Sequence, residues 1–280
     1  MNTRPARLRV VVDNDFAGDP DGLVSLAHLA LASAVEVVLV TTTPVDPALA
    51  ALAGADAAHT AARGRELAAE LFAVAGLPAP ALVAGGEPGH AGENAAAAIA
   101  GVESDGLPLV ILCGGPLTNV AAALRRRPAL ADEAALVWIG GTRAGGGAEY
   151  NLDTDPDAAA TVLASGIPVS RVPRETYERL RVSLAEIEGD LAVTGDLGHW
   201  LADRLLDVPP FVALHGALTL GDSALASVAA LQPEYLADGD RPDVLVDDLD
   251  TRLTWGDLLA LLRTSAPQRR PEPPDPKGTS

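Results

Sequence analysis

The 280-residue sequence holds one cysteine, Cys113, and one lysine, Lys277, and aromatic residues make up only 3% of it. A single cysteine excludes an intramolecular disulfide, and with it the disulfide-stapled secreted scaffolds. Cys113 is expected to act as a small buried hydrophobe in a strand. With so few aromatics and 48% apolar residues, the core must be filled by Ala, Val and Leu, which suits helices packed on a parallel sheet. Positive charge is also scarce: the formal net charge is -18 and the pI about 4.5. Such a chain repels phosphate backbones and anionic lipid, so neither a nucleic acid nor a membrane partner is expected. Long hydrophobic runs are missing too. The longest apolar stretch, Leu23 to Val40, is interrupted by Ser25, His28, Ser33 and Glu36, and reads as a helix followed by a strand. The basic amino end, Met1 to Arg9, runs straight into a strand-like segment without a long apolar region, which leads to the expectation of a cytoplasmic setting.

What is present is a regular alternation of strand and helix. Strands are expected at Leu8 to Val12, Val35 to Thr42, Ala81 to Ala84, Leu107 to Cys113, Leu136 to Gly140 and Val169 to Val172. Helical spacing covers Gly22 to Ala32, Pro47 to Ala75, Asn94 to Val102 and Val120 to Arg126, the last capped by Thr118 or Asn119. A further helix from Asp155 to Ala164 opens on Asp-Pro. Leu180 to Ala230 reads as largely helical, with a break at Pro209 and Pro210. Asp243 to Val246 and Arg252 to Thr254 read as short closing strands. The expected fold is a doubly wound α/β domain over residues 1–265, with a mainly parallel sheet and helices on both faces. Residues 266–280 read as a disordered Pro-rich tail.

The chemistry concentrates just beyond the first strand. Asp13-Asn14-Asp15-Phe16-Ala17-Gly18-Asp19-Pro20-Asp21-Gly22 places four carboxylates within nine positions, in a loop stiffened by Gly18 and Pro20. Carboxylates held that close repel each other, and a cation is the natural way to stabilise them. All-oxygen ligands favour calcium or magnesium over zinc. The structural alternative is an acidic turn in which Asp19 or Asp21 caps the next helix. An EF-hand does not fit, because Ala17 and Val24 stand where that loop requires ligands.

This loop resembles that of the inosine-uridine nucleoside hydrolase family, in which the first strand ends in Asp-x-Asp, a Gly-containing turn and an Asp-Asp pair. Asp13 and Asp15 match the opening pair. The second pair is either Asp19 with Asp21 around an inserted Pro20, or Asp21 with Gly22, which leaves one carboxylate missing. Gly114-Gly115-Pro116-Leu117-Thr118-Asn119 resembles the phrase opening the family's middle helix, Ala148-Glu149-Tyr150-Asn151 its sugar-binding segment, and Gly221-Asp222-Ser223 its late His-Asp-Pro.

The resemblance implies calcium-dependent cleavage of the N-glycosidic bond of a small nucleoside by a homodimer or homotetramer. It places calcium on Asp15, Asp19, Asp21, Asp222 and the Gly114 carbonyl, with Asp15 also the general base. Asp19, Glu149, Asn151 and His90 are the implied substrate contacts. The family's leaving-group histidine is Gly221 here, with His215, His90 or Tyr150 as possible substitutes. Two rivals stay open on the sequence. One is a sugar- or nucleoside-binding pseudoenzyme that lost turnover through Gly22 and Gly221. The other is a phosphatase resembling the haloacid dehalogenases, on the strength of Asp13-x-Asp15 and Gly221-Asp222-Ser223, although the only lysine for its phosphate is Lys277.

Overall fold

The run Val10-Val11-Val12 has no polar face because it needs none: all three side chains are fully buried, Val10 and Val12 in one hydrophobic cluster and Val11 in another on the opposite side of the sheet. The strand that carries them, β1 (Leu8–Asn14), is an inner strand of a seven-stranded sheet. Its other members are β2 (Val35–Thr42), β3 (Ala81–Ala84), β4 (Leu109–Cys113), β5 (Ala134–Ile139) and β6 (Val169–Val172). Two short strands outside the sheet, β7 (Arg181–Ser183) and β8 (Ala217–Thr219), precede the seventh member, β9 (Asp243–Leu245). The sheet order is β3-β2-β1-β4-β5-β6-β9, and every pairing is parallel. The computed structural model describes residues 5–87, 93–209 and 212–265. The expected tail, 266–280, lies outside them.

Helices cover both faces, as the sequence pattern predicts. Helices Asp21–Leu31, Thr60–Ala75, Asp196–Leu206 and Thr251–Ser265 bury apolar stripes in the cluster holding Val10 and Val12. Helices Glu93–Ala100, Thr118–Arg126 and Pro156–Leu163 pack against Val11, Ile111 and Trp138 on the other side. Cys113 is buried and free, as expected of a small apolar filler. Among the described residues, no helix is long and apolar enough to cross a membrane.

Three expectations need correction. The helix expected from Pro47 to Ala75 is two helices, Pro47–Leu52 and Thr60–Ala75, because the chain turns at Gly54 with φ of 72°. Arg252 to Thr254 is not a strand but the first turn of helix Thr251–Ser265, started by the Asp250 carboxylate, which accepts from the Leu253 amide at 2.7 Å. The helices of Leu180 to Ala230 are interrupted by two short strands: β7 and β8 pair antiparallel, and the Leu220 amide donates to the Leu180 carbonyl at 2.7 Å. That two-stranded ribbon delivers Gly221 and Asp222 to the sheet.

The strand order reverses between β1 and β4. The chain steps outward from β1 to β2 and β3, then returns to β4 on the other side of β1 and steps outward again. Loops leaving β1 and β4 therefore diverge to opposite sides, and open a crevice at the carboxyl ends of these two strands. Asp15 lies at the end of β1 and Gly114 at the end of β4, so both flank it.

Candidate active site

Along β1, successive side chains alternate sides. Asp13, fully buried, points to β2 and helix Thr118–Arg126, where its Oδ1 accepts from Thr41 Oγ1 at 2.6 Å and from Asn119 Nδ2 at 2.9 Å. Burial raises its pKa, and these hydrogen bonds oppose the shift. The neighbours of Asp13 and Asp155 explain why Thr118 and Asn119 do not cap their helix. Thr118 donates to Asp155 Oδ2 at 2.6 Å, and Asn119 is spent on Asp13 and the Thr42 carbonyl. Asp13 thus ties two strands and a helix together and holds the end of β1 in place.

Asn14 points the other way. Its Nδ2 donates to Asp222 Oδ2 at 2.7 Å, and its Oδ1 accepts from the Asp15 backbone N–H at 2.8 Å. One amide therefore spans Asp15 and Asp222. Two glycines make room for it. A Cβ on Gly22 would lie 2.6 Å from Asn14 Nδ2 and 3.0 Å from Asp222 Oδ2, and one on Gly114 would lie 2.5 Å and 2.7 Å from the same two atoms. A side chain at position 22 would therefore face Asp222.

Asp15 is 3% exposed, and burial, then the Asp19 charge, push its pKa from 3.8 to about 8, while the Tyr150 hydroxyl pulls the other way. Asp21 opens helix Asp21–Leu31; its Oδ2 accepts from the Asp222 N–H at 2.9 Å, while its Oδ1 is buried with no partner. Burial raises both Asp21 and Asp222 well above the ordinary carboxylate range, and the Asp19 charge adds to each. Asp19 itself is exposed at the rim, where its Oδ1 accepts from the Asp21 N–H at 3.3 Å. Three buried carboxylates and a fourth at the rim share one acidic nest.

β4 and β5 supply the opposite wall. Asn151 Nδ2 donates to the Gly114 carbonyl at 3.0 Å and to the Ile139 carbonyl at 2.9 Å, and its Oδ1 is buried without a partner. Glu149, 3% exposed, caps helix Tyr150–Thr154. Its Oε2 accepts from the N–H groups of Gly141 at 2.8 Å and Leu152 at 2.9 Å. Its Oε1 accepts from the Asn151 N–H at 3.3 Å and the Tyr177 hydroxyl at 3.1 Å. Protein donors fill all four acceptor positions of this carboxylate. A groove of about 440 Å³ runs past Glu149, Tyr150, Tyr177 and Arg174.

Among the sequence-predicted residues, Asp15, Asp21, Asp222, Gly114, Glu149 and Asn151 gather at the crevice, and Asp19 stands at its edge. His215 is exposed, and His90 lies outside the described residues. Sequence reasoning missed Asn14, although it sits inside the Asp-x-Asp motif, and Tyr177, which no local signal marks. The Tyr177 ring occupies the space beside Gly221: a Cβ there would lie 3.0 Å from Tyr177 Cδ2.

The donor set suits a hard cation, because every candidate ligand is an oxygen and the partnerless Asp21 Oδ1 lies in a nest of mutually repelling carboxylates. Among the described residues, however, no three His, Cys, Asp or Glu side chains are grouped closely enough to hold an ion as they stand. Amides engage two of the expected donors: Asn14 bonds Asp222 Oδ2 and Asn151 bonds the Gly114 carbonyl. The site fits a cation in charge and ligand chemistry.

Comparison with known proteins agrees with this architecture. The sequence profile described as inosine-uridine preferring nucleoside hydrolase, a family generally dependent on metal, matches residues 10–274. The pyrimidine-specific ribonucleoside hydrolase RihA of Salmonella typhimurium is 35% identical over 103 residues, and the chain spans 33% of the length of that relative. RihA of Escherichia coli is 32% identical over 138 residues, 46% of this chain and 43% of that protein. Among solved structures, an inosine-guanosine nucleoside hydrolase superposes with a TM-score of 0.72 at 17% identity, over 92% of this chain and 99% of the other. At that identity the likeness establishes the fold.

Proposed function

The chain belongs to the inosine-uridine preferring nucleoside hydrolase family, and we propose that it hydrolyses the N-glycosidic bond of a ribonucleoside to free base and ribose. The observation that carries this reading is the convergence of buried Asp15, Asp21 and Asp222 at the β1/β4 crevice, beside a groove large enough for a riboside.

Departure of the base leaves positive charge on the sugar ring, so carboxylates fixed nearby stabilise the transition state more than the ground state. Asp15 is the proposed general base toward water. Burial without a cation raises its pKa to about 8, which favours the neutral acid at pH 7; a cation at this site would favour the carboxylate that base catalysis requires, and the Asn14 contact fixes its backbone. Asp19 or Asp21 on one side and Asn151 with Glu149 on the other would hold the sugar hydroxyls. A hydroxyl reaching Glu149 displaces its longest contact, the Asn151 N–H or the Tyr177 hydroxyl. His90 completes the proposed substrate contacts. Calcium is the proposed cofactor, held by Asp15, Asp19, Asp21, Asp222 and the Gly114 carbonyl, and it would supply Lewis acidity toward water and the sugar hydroxyls. A homodimer or homotetramer in the cytoplasm is the setting this reading carries. The joint order of the matching segments favours it over the phosphatase reading.

Gly22 and Gly221 support a second reading, a nucleoside-binding protein without turnover, because one carboxylate and the histidine of the resembling motif are absent. The test is the purified protein with calcium and a panel of ribonucleosides. Release of reducing sugar, abolished in Asp15→Asn, supports hydrolysis. Binding without release across the panel supports the second reading.

A further inference from the structure

Three acids line the groove, yet protein donors already engage each of them. Asp46 Oδ1 caps helix Pro47–Leu52 through the N–H groups of Ala48 and Leu49. Asp153 Oδ2 accepts from the Glu149 N–H at 3.0 Å, and Glu149 is saturated. Arg174 is the one cation among the lining residues. Its guanidinium gives a hydrogen bond to the Ala148 carbonyl, and its Nε lies 3.8 Å from Glu178, too long for a hydrogen bond, so most of its five donors are uncommitted.

Beside Arg174 runs the loop Gly145-Gly146-Gly147-Ala148. Gly145 and Gly147 have φ of 71° and 96°, the left-handed geometry from which concave runs of backbone N–H groups are built. Among the described residues, the N–H groups of Gly146, Gly147 and Ala148 donate to no protein acceptor. A Cβ on Gly147 would be 3.9 Å from Arg174 Nη2, so no side chain separates loop from guanidinium. A planar cation next to a run of free amides is a receptor for a tetrahedral oxyanion.

We infer that the substrate class is a ribonucleoside 5′-phosphate, its phosphate bound by Arg174 and the Gly146–Ala148 amides. This rests on the proposed function for the orientation of the sugar. With the anomeric carbon facing Asp15 and the vicinal diol held by carboxylate and amide groups, the exocyclic carbon 5 is the position left to meet the far wall. Charges beyond about 8 Å are screened at physiological salt, so of the net charge of -18 the acids that bear on a phosphate here are the near ones, Glu178 and the three of the groove, and against these the contacting guanidinium acts.

The test has two arms, both on the whole protein. Calorimetry compares ribose 5-phosphate with ribose. The phosphate form is expected to bind about tenfold or more tightly, and Arg174→Met, which keeps the apolar stem, brings the ratio close to one. Gly146→Pro, which removes one loop amide without touching Arg174, lowers the ratio part of the way. Equal affinities in the parent protein, or an Arg174→Met variant that weakens both sugars alike, overturn the inference. The second arm compares kcat/KM for nucleoside 5′-monophosphates and their nucleosides. Absence of turnover with a retained preference for ribose 5-phosphate defeats the proposed hydrolysis alone. Turnover of nucleosides with no preference for phosphate defeats this inference alone.

Discussion

Asn14 and Asp222, 208 residues apart in the chain, meet through a 2.7 Å hydrogen bond inside the fold. The bond joins the end of β1 to the segment delivered by the β7–β8 ribbon. Asn14→Ala leaves the buried Asp222 Oδ2 without the amide that donates to it, and a stranded polar group costs about 1–3 kcal/mol. Urea unfolding of the variant, without added metal, is expected to show a loss of that size. A midpoint equal to that of the parent would remove Asn14 from the account of the site.

The acidic nest makes stability depend on pH in an unusual direction. Asp15, Asp21 and Asp222 have pKa values raised in the fold by burial and by neighbouring charge, Asp15 to about 8. Between the ordinary carboxylate pKa of 3.8 and about 8, the folded state therefore holds protons that the unfolded state has released. Stability from these groups is fully present below the unfolded value and is lost as pH rises through the folded one. Asp15 alone costs about 1.4 kcal/mol per pH unit while the two states differ, and Asp21 and Asp222 act in the same direction. The Tm of metal-free protein should fall from pH 5 to pH 8, and calcium should reverse the fall. A Tm that rises over this range, or ignores calcium, contradicts the picture.

The features legible in the amino-acid sequence are those enforced locally. Val10-Val11-Val12 reads as a doubly covered strand because it has no polar face, and the acidic loop stands out because four carboxylates crowd a stiff turn. The β7–β8 ribbon is hidden because three-residue strands are too short to show a period, and their pairing is settled by contacts distant in sequence. Arg252-Leu253-Thr254 alternates like a strand, and the cap from Asp250 decides otherwise. In the site, Asp15 and Asn151 are readable from motifs, whereas the bridging role of Asn14 depends on a partner at position 222. The need for Gly at 22 and 114 has the same origin: both are small because the Asn14 amide occupies the space between them.

Gly114→Ala tests that last point. Its Cβ would sit 2.5 Å from Asn14 Nδ2 and 2.8 Å from Asp222 Cγ, so the Asn14–Asp222 pair must separate. Overpacking of this kind costs about 1–3 kcal/mol. Gly189→Ala, in the helical segment Ile187–Leu191 where a Cβ meets nothing within 4 Å, is the control and should be stabilised by about 0.4–1 kcal/mol. Denaturation midpoints of the two variants check this; equal midpoints would mean that the crevice is looser than its distances imply.

Asn151 holds the two walls of the crevice at one distance. Its Nδ2 bridges the carbonyls of Gly114, at the end of β4, and Ile139, at the end of β5, while its own N–H donates to Glu149. Asn151→Leu keeps the side-chain bulk but deprives two buried carbonyls of their donor, a loss of about 2–4 kcal/mol if each contributes near the lower end of the usual penalty. Asn151→Asp is the harsher change, since it sets a carboxylate against both carbonyl oxygens and adds another acid to the crevice. If Asn151 also holds the sugar, both variants lower kcat/KM about a hundredfold or more, through kcat as well as KM, because a displaced hydroxyl contact misaligns the reacting carbon. If it only supports the fold, Asn151→Leu lowers Tm while kcat/KM at a temperature well below that Tm stays within a few-fold of the parent. Kinetics of the soluble, folded fraction of both variants separate these two roles.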